Sequence, residues 1–244
     1  MRRSLGWMIS ASLIALIAPT LMAQGADVSA KIIFRGDKHT NSGAHTPTDA
    51  GNVVVWLSSL QAVDQKPPVS PHPPYRLLQK DKQFHPHLLV VPTGTSVEFP
   101  NADPFFHNVF SLFNGKRFDL GLYESGTSRS VKFDREGVSY IFCNIHPEMG
   151  AVVLALNTPY YAISNADGTV TIRGVPPGTY RLNVWSENAQ SFTPSETPRI
   201  VQINPESAGT LRLGEIAIQP VANPHGEHKN KFGGDYVPEA RPPY

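Results

Sequence analysis

Cysteine is nearly missing: Cys143 is the single thiol of the 244-residue chain. No intramolecular disulfide can form, and a structural zinc site, which usually draws on several thiolates, is disfavoured. An excess of charge of one sign is also missing. Lys and Arg number 21 against 20 Asp and Glu, so the chain carries neither a basic footprint for nucleic acid nor a polybasic membrane tether. No segment sustains a helical period. Nor is there a long hydrophobic run, since the uncharged stretch from Leu5 to Ile17 is too short and too close to Met1 for a membrane span.

That stretch follows Met1, Arg2 and Arg3 and precedes small residues around Pro19, Ala23 and Ala26, the layout of a secretory signal peptide over 1–26. An uncleaved anchor is the alternative. Cleavage would change the balance to 19 bases against 20 acids and leave no membrane span, and no cysteine follows to carry a lipid. Export predicts a periplasmic or secreted location, an oxidising compartment where a lone cysteine is either a free thiol or a ligand.

What the chain has instead is short runs of Val, Ile, Phe and Tyr between turn residues, an all-β pattern. Strands are predicted at 28–34, 52–57, 75–79, 87–91, 96–99, 108–112, 118–122, 128–133, 138–144, 151–156, 160–164, 169–172, 179–185, 200–203 and 210–218. Lys66 to Pro74 is too proline-rich for a central strand and reads as a linker. Asp167-Gly168 and Pro176-Pro-Gly178 are hairpin signals. Asn165 to Gly168 superficially resembles the start of a calcium loop but lacks the later oxygen ligands. From Pro220 onward the composition predicts a flexible tail.

The thiol sits in Tyr140-Ile-Phe-Cys143-Asn-Ile-His146-Pro-Glu-Met149, and Phe105-Phe-His107-Asn-Val-Phe110 lies upstream. A thiolate, two imidazoles and a weak thioether form a ligand set that suits both oxidation states of copper, and this chemistry carries single electrons. Cys143 ends a strand, and its loop is short enough to bring His146 and Met149 around one ion. His107 must then come from a neighbouring strand end. The competing readings are a buried apolar cysteine, a zinc site with Glu148 replacing Met149, and a cysteine nucleophile with His107 or His146 as base. The last needs an exposed, electropositive thiol, whereas Cys143 lies in an apolar strand. His85 and His87 read as strand-edge residues, with a secondary metal contact as the alternative, and His225 and His228 as part of a solvated tail.

On these strings, together with Phe84-His-Pro-His-Leu-Leu-Val-Val-Pro-Thr-Gly-Thr-Ser-Val-Glu-Phe-Pro-Asn101, residues 74–156 resemble the cupredoxins, the blue copper family of plastocyanin, pseudoazurin and amicyanin. The resemblance implies a Greek-key β-sandwich holding one type 1 copper through His107, Cys143, His146 and Met149. It also implies that the loop histidine is the electron's exit and that Asn108 ties the ligand loops near the thiolate. The Cys-x-x-His-x-x-Met loop is most similar to that of amicyanin. Glu148 departs from the smaller or apolar residue common there, which puts docking by a purely apolar face in doubt.

Tyr161 to Trp185 resembles the carboxypeptidase regulatory-like domain, a transthyretin-like β-sandwich, but without that family's opening two strands in front of it. Val28 to Phe34 and Asn52 to Leu57 have the right character. The expected organisation is therefore a leader (1–26), opening strands of the transthyretin-like sandwich (27–60), a linker (61–73), an inserted cupredoxin (74–157), the rest of the outer sandwich (158–219) and a tail (220–244). The expected function is electron transfer between redox partner proteins, with no catalytic residue and no nucleic-acid partner. The alternatives are copper storage or delivery, and a structural β-sandwich module with no redox role.

Overall fold

The computed structural model describes residues 25–35, 50–61, 74–112, 115–189, 199–206, 209–220 and 229–236. Every regular element among them is a β-strand. The expected leader up to residue 24, most of the Pro-rich linker, and His225 and His228 lie outside the described residues.

The strands before the linker are β1 (Ala26–Phe34) and β2 (Val54–Ser59). Those between the linker and residue 157 are β3 (Tyr75–Arg76), β4 (Leu78–Lys80), β5 (Gln83–His85), β6 (Leu88–Pro92), β7 (Thr95–Pro100), β8 (His107–Ser111), β9 (Phe118–Tyr123), β10 (Ser128–Phe133), β11 (Gly137–Cys143) and β12 (Gly150–Leu156). After them come β13 (Tyr161–Ile163), β14 (Thr169–Val175), β15 (Gly178–Trp185), β16 (Ile200–Ile203) and β17 (Thr210–Ile218).

Residues 75–156 build one sandwich. A five-stranded sheet in the order β6-β12-β11-β8-β9 faces a three-stranded sheet β10-β7-β3, and β4-β5 form a separate hairpin. Leu77, Phe84, Val97, Phe99, Val109, Phe133, Ile141 and Val153 pack between the two sheets, in one cluster with Cys143 and Met149. The expected single strand over 75–79 is two short strands. A turn follows in which Asp81 and Lys82 both take positive φ, 56° and 54°, so the chain reverses into β5.

A second sandwich combines strands from both sides of that segment. Sheet β14-β1-β17 faces sheet β13-β2-β15-β16. β2 runs antiparallel to β15, with Leu57 opposite Leu182 and Val55 opposite Val184, while β1 lies between β14 and β17. The Asp167-Gly168 hairpin is seated on β1. Gly168 has φ +82°, its carbonyl accepts the Ile32 amide at 2.8 Å, and a Cβ there would fall 2.3 Å from the Ile32 oxygen. Asp167 accepts from Thr169 and pairs with Lys31, which together hold its carboxyl pKa at about 2 at the turn. Ala26, expected to close the leader, is the buried first residue of β1.

The two sandwiches share a third layer of side chains. Along β12, Ala151, Val153 and Ala155 face the first core, whereas Val152, Leu154 and Leu156 face outward. Along β2, Val55 and Leu57 enter the second core while Val54 and Trp56 turn the other way. These outward residues meet, with Val90 and Trp185, in one buried cluster. The period-two alternation of a strand thus serves two cores at once, and the five-stranded sheet is covered on both faces.

Candidate metal centre

Antiparallel pairing of β11 with β8 sets Cys143 opposite Val109, which brings the end of one strand beside the start of the other. His107 opens β8, and Cys143 closes β11. The chain then turns sharply: the Met149 amide donates to the His146 carbonyl at 3.1 Å, and the Cys143 amide to the Met149 carbonyl at 3.3 Å. The Asn144 amide donates to the Asn108 carbonyl at 2.9 Å, so the loop is stitched to β8 as well.

Two imidazoles and the thiol converge inside this frame. Cys143 Sγ lies 3.6 Å from Nδ1 of both His107 and His146, and the two Nδ1 atoms are 3.1 Å apart. The point equidistant from these three atoms is about 2 Å from each, the reach of a metal–nitrogen bond. His107 and Cys143 have no solvent exposure, Met149 is equally enclosed, and His146 is 7% exposed. Three lone pairs aimed at one dry point repel one another unless a proton or a cation stands between them. The donor set therefore fits a metal ion, and its soft thiolate with two imidazoles fits copper better than a hard cation. Glu148, the fourth ligand in a zinc reading, is exposed and stands outside the cluster.

Asp103 is a functional residue that sequence reasoning missed. Its carboxylate accepts from His107 Nε2 at 2.9 Å and is 3% exposed. The same carboxylate accepts the amides of Asp81 at 2.6 Å and Lys82 at 3.1 Å, so it also holds the strained β4-β5 turn. Burial pushes its pKa up, but the hydrogen bonds from His107 and the two amides outweigh burial and hold it below the usual carboxylate range. A carboxylate behind a ligating imidazole fixes its tautomer and makes it a stronger donor. The signal was Asp103 four residues before His107, meaningful only once the turn at 81–82 is known.

Phe105 stands against both imidazoles, with ring centroids 5.3 Å from His107 and 5.4 Å from His146. Phe142 packs on Phe110, and Phe106 is largely exposed. Asn108 touches both ligand strands through its backbone, while its side chain donates to Asp119 at 2.6 Å. Burial raises the Cys143 thiol pKa, and Glu148 adds to the rise. The amides of Asn108, Ile145 and His146 act against both.

His85 is exposed at the end of β5, and its peptide bond to Pro86 is cis. His87 Nδ1 is 3.0 Å from the Gly150 carbonyl and Nε2 is 2.6 Å from Glu187. Both ring nitrogens of His87 are therefore engaged, and the one facing Glu187 bridges the two sandwiches. Within the expected tail, residues 229–236 form a turn against the ligand loop.

No protein-family model matches the chain, and no curated protein matches it. Solved structures similar to it include a Cu-containing nitrite reductase from Thermus scotoductus, 24% identical, covering 34% of this chain and 22% of that one at a TM-score of 0.33. The chain thus spans less than a quarter of the reductase. A purple cupredoxin from Nitrosopumilus maritimus is 26% identical over 34% of this chain and 99% of its own, TM-score 0.31. Amicyanin from Paracoccus versutus is 14% identical over 41% of this chain and 97% of its own, TM-score 0.32.

Proposed function

We propose that the chain is an exported blue copper protein that carries single electrons between redox partner proteins. His107 Nδ1, Cys143 Sγ and His146 Nδ1 would hold one copper, with Met149 as a fourth, weak thioether ligand. The observation that carries this reading is the convergence of the three donor atoms of three buried residues on one point. Bound copper supplies the one-electron couple.

The protein's own residues supply the rest. Strand pairing and the Asp103 bond hold the ligands in one arrangement, which suits a couple whose two oxidation states must share a geometry. His146 is the one of the four that reaches the surface, which supports it as the electron's exit. Ile145 beside it is 39% exposed, and Glu148 is exposed on the same loop, so a partner meets an apolar patch edged by a carboxylate. The second sandwich, read as transthyretin-like, has its opening strands before the first sandwich and its remaining strands after it, and its role would be scaffolding or docking. Buried contact through Trp56, Leu154 and Trp185 supports a rigid mount.

Redox cycling of the copper-loaded full chain in the presence of a chelator tests this function. An electron carrier keeps its copper through many cycles. Loss of copper within the first few cycles would favour delivery of the metal instead.

A further inference from the structure

The polar segment 229–236 lies against the end of β11, the ligand loop that follows it, and β9. Tyr236 Oη donates to the Cys143 carbonyl at 3.0 Å. The Lys231 amide donates to Asn144 Oδ1 at 2.9 Å, one residue beyond the thiol. Lys231 Nζ is 2.7 Å from Asp119 Oδ2, and the other oxygen of Asp119 accepts from Asn108, one residue beyond His107. One short segment therefore grips Asn144 and the thiol residue's own carbonyl directly, and reaches Asn108, beside His107, through Asp119.

The segment has its own bracing. Asn230 Oδ1 accepts the amides of Phe232 at 2.9 Å and Gly234 at 3.1 Å, the Asn230 amide donates to the Gly234 carbonyl at 2.9 Å, and Lys229 pairs with Asp235. A turn closed on itself docks as a unit and loses less freedom on docking than an open chain does.

We propose that residues 229–236 are a strap that positions the ligand loop, and that strap docking and copper binding stabilise each other. The proposal rests on the copper reading above. The strap holds Cys143 and Asn144 against β8 and β9, so the loop is arranged before the metal arrives. An ion that fixes Cys143 and His146 fixes in turn the surface on which the strap sits. Linkage requires the effect to be reciprocal: whatever the strap adds to copper affinity, copper adds to strap docking. Tyr236 and Lys231 are positioning residues in this scheme, acting through Cys143 O, Asn144 and Asp119.

The test uses the full chain with and without copper. Hydrogen exchange at Lys231, Phe232 and Gly234 should be slower in the copper-loaded protein. Tyr236→Phe, which removes only the hydroxyl, and Asn144→Ala, which removes the acceptor for Lys231, should each release copper to a chelator about tenfold faster while binding one ion, as outer partners of metal ligands do. Unchanged exchange on copper loading, together with wild-type release from both variants, would overturn the strap proposal alone. Failure of the wild-type chain to take up copper would overturn the copper reading and this inference with it.

Discussion

Asp103 accepts the Nε2 proton of His107 at 2.9 Å, and this fixes which nitrogen of that ring faces the thiol. With Nε2 committed to the carboxylate, Nδ1 is left to point at Cys143 and His146. Asp103→Asn keeps the shape but removes the charge, and its amide can present a donor where an acceptor is needed. We expect copper affinity to fall by about 10–100-fold, measured by competition with a chelator. Asp103→Ala should weaken binding at least as much and should also cost about 1–3 kcal/mol of stability, because the Asp81 and Lys82 amides lose their acceptor.

The shared layer between the sandwiches gives a second expectation. Leu154 is fully buried there and faces away from the metal side of its sheet. Leu154→Ala should destabilise the chain by about 2–5 kcal/mol in denaturant unfolding. The copper spectrum should stay that of the wild type, because Val153 and Ala155 still line the other face. A changed spectrum would show that the two faces are not independent.

His87 bridges the sandwiches through Glu187, and this makes part of the stability depend on pH. The Glu187 hydrogen bond raises its pKa most; burial opposes the rise, and the Glu187 charge and Gly150 carbonyl add to it. With the folded value above the unfolded one, the stabilisation is complete below about 6.5 and is lost as pH climbs through the raised folded value. The melting-temperature gap between wild type and His87→Gln should therefore be wide near pH 5.5 and narrow near pH 8.5, bracketing the ordinary value of about 6.5. The pair is partly solvent-exposed, so the gap should be small and shrink with salt.

Copper uptake should release protons. Burial holds the Cys143 thiol above its ordinary pKa, with Glu148 adding to the effect, so the metal-free sulfur is protonated at neutral pH, whereas the metal binds the thiolate. Titration calorimetry in buffers of different ionisation enthalpy should show about one proton released per copper near pH 7, and affinity should rise with pH. Buffer-independent heats would mean that the sulfur is not a ligand.

Much of this was legible in the sequence because it is local. The strands at 128–133, 200–203 and 210–218 fall where alternation and turn residues put them, and Cys143, His146 and Met149 sit within a single loop. His107 could be placed at a strand start because Phe-Phe-His-Asn-Val-Phe joins a turn to an apolar run. The turn at Asp81-Lys82 was not legible: its positive φ angles are held by a carboxylate 22 residues away, and 75–79 alone looks like an unbroken strand. The strap was missed for a related reason. It docks through one amide, one tyrosine hydroxyl and one lysine side chain, which leave no hydrophobic period to read. The two-sided burial of Ala151 to Leu156 was written in its unbroken apolar run, but its second partner, Trp56, lies far back along the chain.

The central claim is that one sulfur and two ring nitrogens share a copper ion, and absorption spectroscopy of the full chain loaded with copper(II) tests it most directly. The account predicts an intense band at about 600 nm from thiolate-to-copper charge transfer, present at one copper per chain and lost in Cys143→Ser. Copper bound with only weak visible absorption, or an intense band that survives in Cys143→Ser, would contradict it.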